Sequence, residues 1–362
     1  MTTIPFDEFG PLKVIHLHSP RTGMKAVVVV DNVALGPAIG GVRVSLSVTD
    51  SEVMRLARTM TLKNAVSGLA HGGGKAGIIA DPKTADREQL FRTFGRLIRD
   101  FTDYIPGPDM GSNEACMAWL RDETGRAVGL PEEIGGLPLD KVGATGFGLA
   151  ECADAAAGFA GISLKNARVA VQGFGSVGKA AARFLQQKGA VVVALSDTGG
   201  TIVNPDGLDV AGLIALKDAG KSVADGAGKR LGPDEIFGVP CEILVPAATP
   251  DVITRENASS IQAKLVLQGA NIPATKEAEE ILHARGVVVV PDFIANAGGV
   301  IMAAMEYAKR IEQEAFEAIS SRIRTNTRLI LEKARSEKML PRRAAVAIAT
   351  ARVREAMKYK EF

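Results

Sequence analysis

The sequence predicts an α/β protein built from two domains. Its 362 residues exceed the roughly 100–200 of a typical single domain, and 46% of them are hydrophobic, enough for a substantial core. From about residue 142, short continuous apolar segments alternate with helical ones, as expected for parallel strands covered on both faces. One of these segments runs strand, glycine turn, helix, strand, which is typical of a Rossmann-type domain.

The first third of the chain mixes predicted strands and helices. Residues 25–32, KAVVVVDN, are β-branched and predict a strand. Thr49 and Glu52 fit a capping box at the start of a helix over 49–69. A second amphipathic helix is predicted over 87–101.

Later apolar segments predict the strands of the second domain, at 241–248, 264–270 and 286–293. From residue 302 to 359 the pattern is helical, with a break at Pro341. We therefore predict a first domain over 1–141, a second over 142–304, and C-terminal helices over 305–362 that return to the first domain.

Composition narrows the class of protein. The chain has 43 Lys and Arg against 41 Asp and Glu, so no net charge favours nucleic acid or a membrane surface as partner. Cys116, Cys152 and Cys241 show neither a disulfide framework nor metal-ligand spacing, which suits a reducing compartment. No leader or membrane span of about 20 apolar residues is apparent. We expect a cytoplasmic protein without a metal.

The glycine turn of the second domain predicts a dinucleotide site. An apolar strand enters the GFGSVG turn and a helix leaves it, so the glycines permit a tight turn and close approach of a pyrophosphate to the helix N-terminus. The predicted cofactor-binding residues of this turn are Gly173, Gly175, Ser176, Val177 and Gly178.

The next strand ends in Asp197, nineteen residues past Gly178. A carboxylate at this place can accept hydrogen bonds from the adenosine ribose and would repel a 2′-phosphate. The residues that follow, 198–200, include no cation for such a phosphate. The sequence therefore favours NAD over NADP.

Lys75 stands behind three glycines in HGGGKAG. A phosphate-binding P-loop would need glycine six residues earlier and Ser or Thr just after, but those positions hold Leu69 and Ala76. The glycines, we expect, leave the backbone in this loop open to a ligand.

Two further charged residues accompany Lys75. Lys63 lies near the end of the predicted helix, and Asp109 lies in the Pro/Gly-shaped turn of IPGPDMG. A desolvated lysine beside a second cation has a lowered pKa and can act as a base, while a carboxylate can carry protons. If these side chains converge, they form a catalytic charge cluster.

Nearly the whole chain resembles the amino acid dehydrogenases that act on glutamate, leucine, phenylalanine and valine. The blocks that carry the resemblance occur in the family's order: TGMKAVVVVDNVALGPAIGGVR, LARTMTLKNAVSGLAHGGGKAGIIADP, IPGPDMGSNEACMAWL, GATGFG, VQGFGSVG, PAATPDVI, LQGANIPAT and IANAGGV. The resemblance implies a homo-oligomer whose first domain, 1–141, binds the substrate and carries out catalysis.

The resemblance also implies residue roles. Lys63 would bind the substrate α-carboxylate, Lys75 would activate the water that attacks the imine carbon, and Asp109 would handle the amino-group protons. The implied reaction is reversible oxidative deamination of an L-amino acid to its 2-oxo acid and ammonia with NAD. Two domains closing on each other would exclude water from this reaction.

Backbone and amide groups complete the implied site. Gly40 and Gly41 would line the amino acid site, and Asn271 would contact the nicotinamide half of the cofactor. Asn296 would contact cofactor and substrate, with Thr145 near both.

Substrate choice depends on departures from the glutamate pattern. Glutamate enzymes that resemble this chain carry a lysine where it has Ile39, and a serine three residues after Val300, where it has Ala303. Burying an unpaired carboxylate against these residues would cost several kcal/mol. We therefore expect an apolar substrate, leucine-like to phenylalanine-like. Glutamate is the alternative, and a silent NAD-binding regulatory subunit is an alternative of another class.

Overall fold

The computed structural model describes residues 6–84 and 86–360. The first five residues of the N-terminal segment, where no leader is expected, lie outside the described part. The chain divides into two units. The first unit contains residues 1–139, 300–315 and 346–362, and the second contains 140–299 and 316–345.

The first unit is organised by a five-stranded mixed sheet in the order β1-β2-β4-β3-β5. Its strands are β1 (Lys13–His18), β2 (Lys25–Asn32), β3 (Ala38–Val44), β4 (Gly72–Ile79) and β5 (Tyr104–Pro108). β1 and β4 pair antiparallel with β2, whereas β3 pairs parallel with both β4 and β5. β4 is therefore the central strand, bonded on both sides.

Helices cover both faces of this sheet: α1 (Asp50–Val66), α2 (Arg87–Ile98) and α3 (Glu114–Thr124). Alternate residues of β2 point to opposite faces. Val27 and Val29 pack towards α1, and Val28 and Val30 join the core that contains the aromatic residues of α2. The predicted strand at 25–32 and helices at 49–69 and 87–101 are thus present, the helices shorter by one to three residues at their ends.

The second unit contains a seven-stranded sheet in the order β12-β11-β10-β6-β7-β8-β9. Its strands are β6 (Arg168–Gln172), β7 (Val191–Asp197), β8 (Gly200–Val203), β9 (Lys229–Leu231), β10 (Ile243–Pro246), β11 (Leu265–Leu267) and β12 (Val288–Val290). The five strands from β12 to β7 run parallel, and β8 and β9 are added antiparallel. The predicted α/β class with a Rossmann-type sheet is confirmed.

The remaining helices follow in chain order. They are α4 (Leu139–Val142), α5 (Ala144–Ala156), α6 (Ser176–Gln187), α7 (Val210–Asp218), α8 (Lys276–Ala284), α9 (Asp292–Ala295), α10 (Gly298–Tyr307), α11 (Glu312–Ser336) and α12 (Pro341–Met357). Among the described residues, no helix is long and apolar enough to cross a membrane.

The C-terminal helices do not all return to the first unit, so the prediction for 305–362 is wrong over residues 316–345. The Phe316 ring packs edge-on against Phe147 of the second unit, with centroids 4.9 Å apart. Residues 346–362 do belong to the first unit, where Arg352 donates to the last carbonyls of α1. The apolar periodicity of this segment predicted its helices, but it did not predict which unit each helix packs in.

Candidate active site

Lys75 lies on the central strand β4 and not in a loop, as its glycine-rich sequence suggested. The glycines are needed for close packing: a Cβ at Gly72 would lie 1.7 Å from the carbonyl oxygen of Asn32, and one at Gly73 would lie 2.1 Å from the amide nitrogen of Thr61. The expectation that they leave the backbone open to a ligand is therefore wrong. They bring β2 and α1 directly against the strand that carries the lysine.

The Lys75 side chain is buried beside Asp109. Its Nζ lies 3.1 Å from Asp109 Oδ2, and the residue is only 6% exposed. Gly41 leaves room for this contact, because a Cβ at position 41 would lie 2.6 Å from Asp109 Cβ and 3.1 Å from Lys75 Nζ. Any larger residue at position 41 would push the lysine and the carboxylate apart.

Asp109 follows directly after β5 and is fixed by its own turn. Its backbone N–H donates to Ser112 Oγ at 2.8 Å, and that hydroxyl donates to the Val42 carbonyl at 2.8 Å. The carboxylate also accepts a 2.8 Å hydrogen bond from Arg43 Nε, and Arg43 Nη1 lies 2.5 Å from Glu52 Oε1. Asp109 is thus held between two cations.

The electrostatics of the pair lower the pKa values of both groups. Burial lowers the pKa of Lys75 below its usual 10.5, although the neighbouring Asp109 charge opposes this, and the positive Arg43 lowers the pKa further. Burial raises the pKa of Asp109, but the charges of Lys75 and Arg43 outweigh it, so the net pKa lies below the usual 3.8.

Lys63 and Gly40 lie on elements that contact the same strand. Lys63 is half-buried near the end of α1, and its neighbour Asn64 donates a 2.7 Å hydrogen bond to the Gly72 carbonyl of β4. Gly40 packs on Gly74, and its carbonyl accepts a 2.9 Å hydrogen bond from the buried Tyr104 hydroxyl. Gly41, rather than Gly40, touches the Lys75–Asp109 pair.

The predicted specificity residues Ile39 and Ala303 lie in one apolar cluster. They pack with Ile105 and Val128, and all four are less than 8% exposed. Val300 is half-buried one turn before Ala303 on α10.

Glu306 fixes one wall of this cluster. Its carboxylate accepts hydrogen bonds of 2.9 and 3.0 Å from the backbone N–H groups of Gly129 and Leu130, next to Val128. Burial raises the pKa of Glu306, because a charged carboxylate is poorly solvated there. This residue links α10 to the loop before α4.

The GFGSVG turn has the geometry that a pyrophosphate requires. Gly173 adopts φ +89°, and a Cβ at Gly178 would lie 1.9 Å from the Gly173 carbonyl oxygen, so both positions require glycine. A Cβ at Gly175 would meet no atom within 4 Å, which leaves open space beside the start of α6, where Ser176 and Val177 lie. The residues present therefore fit a dinucleotide phosphate at this helix N-terminus.

Asn271 and Asn296 lie beyond the carboxyl ends of two parallel strands, the edge where ligands bind in such sheets. Asn271 follows β11, and its Oδ1 accepts a 3.0 Å hydrogen bond from Asn296 Nδ2, which follows β12. Thr145 lies at the start of α5, whose Gly146 packs against Ala180 of α6.

Asp197 lies at the end of β7 with both carboxylate oxygens engaged. Lys217 Nζ lies 2.6 Å from Oδ2, and the Val223 N–H donates to the same oxygen at 3.0 Å. Oδ1 accepts from Ser222 Oγ at 2.7 Å and from the Gly199 N–H at 2.8 Å. Burial opposes ionisation, but these donors outweigh it and lower the pKa of Asp197 to about 2.

Three charged residues that contact the site, Arg43, Glu52 and Lys217, were not among the predicted site residues. Arg43 stands two residues after Gly41, so strand alternation could have placed it on the same face as the site. Glu52 was assigned only to a capping box, but its side chain binds Arg43 instead. Lys217 comes from α7, and no local pattern links it to Asp197.

The chain belongs to the glutamate/leucine/phenylalanine/valine dehydrogenase family. The model of that family matches residues 135–360, and the model of the family's dimerisation domain matches residues 11–126. The family predicted from the sequence blocks is confirmed, and the chain is an amino acid dehydrogenase.

Individual relatives carry glutamate dehydrogenase names. An NADP-specific glutamate dehydrogenase of Saccharolobus shibatae is 39% identical over 353 residues, covering 90% of this chain and 83% of the relative. A catabolic NAD-specific glutamate dehydrogenase of Bacillus subtilis is 37% identical, covering 91% and 82%. These names favour the glutamate alternative over the leucine, phenylalanine and valine branch that the sequence predicted.

Solved structures of the same class align with the chain. The hetero-hexameric glutamate dehydrogenase of Thermus thermophilus in its leucine-bound form gives a TM-score of 0.86 at 31% identity, covering 97% of this chain and 90% of that chain. The L-tryptophan dehydrogenase of Nostoc punctiforme gives 0.77 at 25% identity, covering 97% and 98%.

Proposed function

We propose that this protein catalyses the reversible, NAD-dependent oxidative deamination of an L-amino acid to its 2-oxo acid and ammonia. The observation that carries the proposal is the buried Lys75–Asp109 pair, with Nζ and Oδ2 3.1 Å apart beside Gly41. A desolvated amine in contact with an ionised carboxylate supplies a base and a proton carrier in one site.

Each charged group has a distinct role in this proposal. Lys63 anchors the substrate α-carboxylate. Lys75, whose pKa is lowered by burial, takes a proton in its neutral form from the water that attacks the imine carbon. Asp109, whose pKa is lowered, accepts a proton from the substrate nitrogen and becomes transiently protonated, then returns the proton in the reverse direction, while Arg43 fixes its orientation.

NAD, when bound, accepts the hydride from the substrate Cα. The first turn of α6 and the open side of Gly175 would hold its pyrophosphate. Asn271 and Asn296, already hydrogen-bonded to each other, would orient the nicotinamide amide. The NAD-specific names of relatives at 35–37% identity support this cofactor.

The first test is ammonia-dependent NADH oxidation with Lys75→Ala and Asp109→Asn beside the natural protein. We expect both variants to lose at least about a hundredfold in kcat, the range of general acid–base catalysis. Lys13→Ala is the matched control, because Lys13 forms a 2.5 Å ion pair with Asp103 in the same unit. Activity that survives Lys75→Ala would overturn the proposed role.

L-Glutamate is the first candidate substrate. It is favoured by the glutamate dehydrogenase names of relatives that are 35–44% identical. For this chain the side-chain carboxylate would need a cation other than residue 39. Turnover of 2-oxoglutarate well above that of apolar 2-oxo acids would support this candidate.

An apolar amino acid is the second candidate, favoured by the packing of Ile39 with Ala303, Ile105 and Val128. Such a wall stabilises an apolar side chain by about 0.8 kcal/mol per buried methylene. Comparison of 2-oxoglutarate, 4-methyl-2-oxopentanoate and phenylpyruvate on one sample separates the candidates. Dominant turnover of the last two would support the apolar one.

We also propose a cytoplasmic homo-oligomer. Residues 11–126 match a domain described as a dimerisation domain, and the Thermus relative is described as a hetero-hexamer, so both support assembly of several subunits. Light scattering on the purified protein tests this assembly, and a monomer at micromolar concentration would contradict it.

A further inference from the structure

The apolar cluster that contains Ile39 lies on the same sheet face as the Lys75–Asp109 pair. Ile39 pairs in register with Ile105 across β3 and β5. Gly41, two residues further along β3, is the residue that touches the pair. Side chains two positions apart on a strand share a face and lie about 6.6 Å apart. The cluster is therefore at the distance from the reacting groups that a substrate side chain spans.

Val128 joins this cluster from the loop between α3 and α4, not from a strand or helix. The residue is 1% exposed, and its N–H donates a 2.9 Å hydrogen bond to the Pro106 carbonyl of β5. A Cβ at Gly107 would lie 3.1 Å from Val128 Cγ2, so the valine fills the space beside that glycine. The position of Val128 therefore decides how much room remains next to this part of β5.

Glu306 holds the loop just after Val128 through three backbone N–H groups. Its Oε2 accepts from Gly129 at 2.9 Å and its Oε1 from Leu130 at 3.0 Å, and the Leu137 N–H also donates to the carboxylate. Each oxygen thus has its own donor, and an amide at this position would offer only one accepting oxygen. The carboxylate is therefore needed to bind both neighbours of this turn at once.

Ala303 and Glu306 lie one turn apart on the same face of α10. Ala303 packs in the cluster with Val128, while Glu306 binds the two residues that follow it. We propose that Glu306 is a positioning residue for substrate selectivity, because it sets where Val128 lies and so how deep the pocket for the substrate side chain is. The proposal rests on the proposed deamination and deepens it.

Amination kinetics with NADH and ammonia test the proposal on two 2-oxo acids of different length. The short one is 2-oxobutanoate, and the long one is 2-oxohexanoate or 2-oxoglutarate, whichever the natural protein uses better. In Glu306→Gln the ratio of kcat/KM, long to short, should fall at least about fourfold, the effect of losing contact with one methylene group. The loss should appear in KM for the long substrate, with kcat for 2-oxobutanoate within about twofold.

Val128→Ala removes the wall directly and should lower the same ratio. Once Val128→Ala is present, Glu306→Gln should change the ratio by less than about twofold, because no valine side chain is left to position. Glu242→Gln is the matched control, since Glu242 also accepts a hydrogen bond from a backbone N–H, that of Arg168 at 2.8 Å, at the start of β6. This control should leave the ratio unchanged.

If Glu306→Gln does not fold, Glu306→Asp takes its place: it keeps both oxygens but draws them back from the loop, and the ratio should again fall. An unchanged ratio in either Val128→Ala or the folded Glu306 variant, additive effects in the double variant, or an equal fall in kcat for both substrates would overturn the proposal. A natural protein that turns over no 2-oxo acid at all would instead contradict the proposed function.

Discussion

Lys75 Nζ and Asp109 Oδ2 are 3.1 Å apart, but the carboxylate also binds a second cation. Arg43 Nε donates to the same oxygen at 2.8 Å, a shorter contact than that of the lysine. A carboxylate shared in this way stabilises the protonated lysine less than an exclusive partner would, and the arginine charge repels it directly. The site thus combines an ionised aspartate with a lysine of lowered pKa.

Replacing Arg43 should move the pH dependence of the reaction. In Arg43→Met, Lys75 loses a neighbouring positive charge, and the Asp109 carboxylate no longer binds an arginine as well as the lysine. Both changes raise the pKa of Lys75. A general base is inactive when protonated, so Lys75 sets the acidic limb of kcat/KM for deamination, and this limb should shift to higher pH. Steady-state kinetics across pH 6.5–10.5 measures this limb.

Arg92→Met is the control for this shift, because Arg92 binds Glu88 and Asp122 on the exposed side of α2. The limb should stay in place for that variant. A limb that moves to lower pH in Arg43→Met would mean that Arg43 does not set the pKa of Lys75.

Asp197 should contribute to stability in a defined pH window. Its folded pKa, about 2, is below the usual 3.8, so its contribution is full above about pH 4–5 and is lost as the pH falls towards 2. The shift corresponds to about 2 kcal/mol. Asp197→Asn should be destabilised by about that amount at pH 6, with the difference shrinking as the pH approaches 2.

Urea unfolding at several pH values, followed through the second unit, measures this difference. Exposed Asp206→Asn is the control and should unfold like the natural protein at each pH. A penalty for Asp197→Asn that stays constant from pH 6 to 2.5 would contradict the linkage.

Local patterns predicted the parts of the fold and site that depend on short stretches of chain. The β-branched run at 25–32 and the Gly173–Gly178 spacing involve only neighbouring residues. They predicted β2 and the glycine turn before α6, and both are observed. The strand nature of Gly72–Gly74 was missed, because glycine normally weakens a strand and only the packing of Asn32, Thr61 and Tyr104 explains it here.

Long-range relationships were beyond such patterns. Lys217 reaches Asp197 through the placement of α7, and residues 316–345 join the second unit through contacts that no periodicity encodes. The apolar surroundings of Ile39 and Ala303 were anticipated only through the resemblance to a family.

Introducing a cation at residue 39 should change substrate selectivity whichever substrate is preferred. In Ile39→Lys an ammonium replaces an apolar side chain in the cluster with Ala303 and Val128. Turnover of 2-oxoglutarate relative to 4-methyl-2-oxopentanoate should rise at least about tenfold, since a charged hydrogen bond is gained and apolar burial is lost.

Ile39→Leu keeps the apolar wall and should leave that ratio within about threefold. Thermal melts of both variants check that the buried lysine is tolerated. An unchanged ratio in a folded Ile39→Lys protein would show that residue 39 does not contact the substrate side chain.

The loop that carries Asn271 is held in a strained conformation by a distant arginine. Ile272 is a β-branched residue at φ +49°, which costs about 1–3 kcal/mol. Its N–H donates to Asp292 Oδ2 at 3.1 Å, and Arg342 Nη1 lies 2.9 Å from the other oxygen of that carboxylate. Arg342 also binds buried Glu279, so it fixes Asp292 from α12.

Arg342→Met should therefore weaken NADH binding, measured by the fluorescence of the bound nucleotide, because the loop relaxes away from its strained geometry. The effect should be smaller when Ile272 is already glycine, since glycine adopts positive φ without strain and the loop no longer needs restraint. We expect Arg342→Met to weaken NADH binding about fivefold in the protein with Ile272 and less than twofold in the Ile272→Gly variant. A double-mutant cycle gives the coupling.

Arg324→Met separates this coupling from a general loss of stability. Arg324 also pairs with two carboxylates of the second unit, Glu151 and Asp154, but it does not contact the Asn271 loop. Its effect on NADH affinity should be small and the same in both backgrounds. If Arg342→Met and Ile272→Gly prove additive, Arg342 stabilises the unit without positioning the loop, because a restraint on strained backbone must lose its effect once the strain is removed.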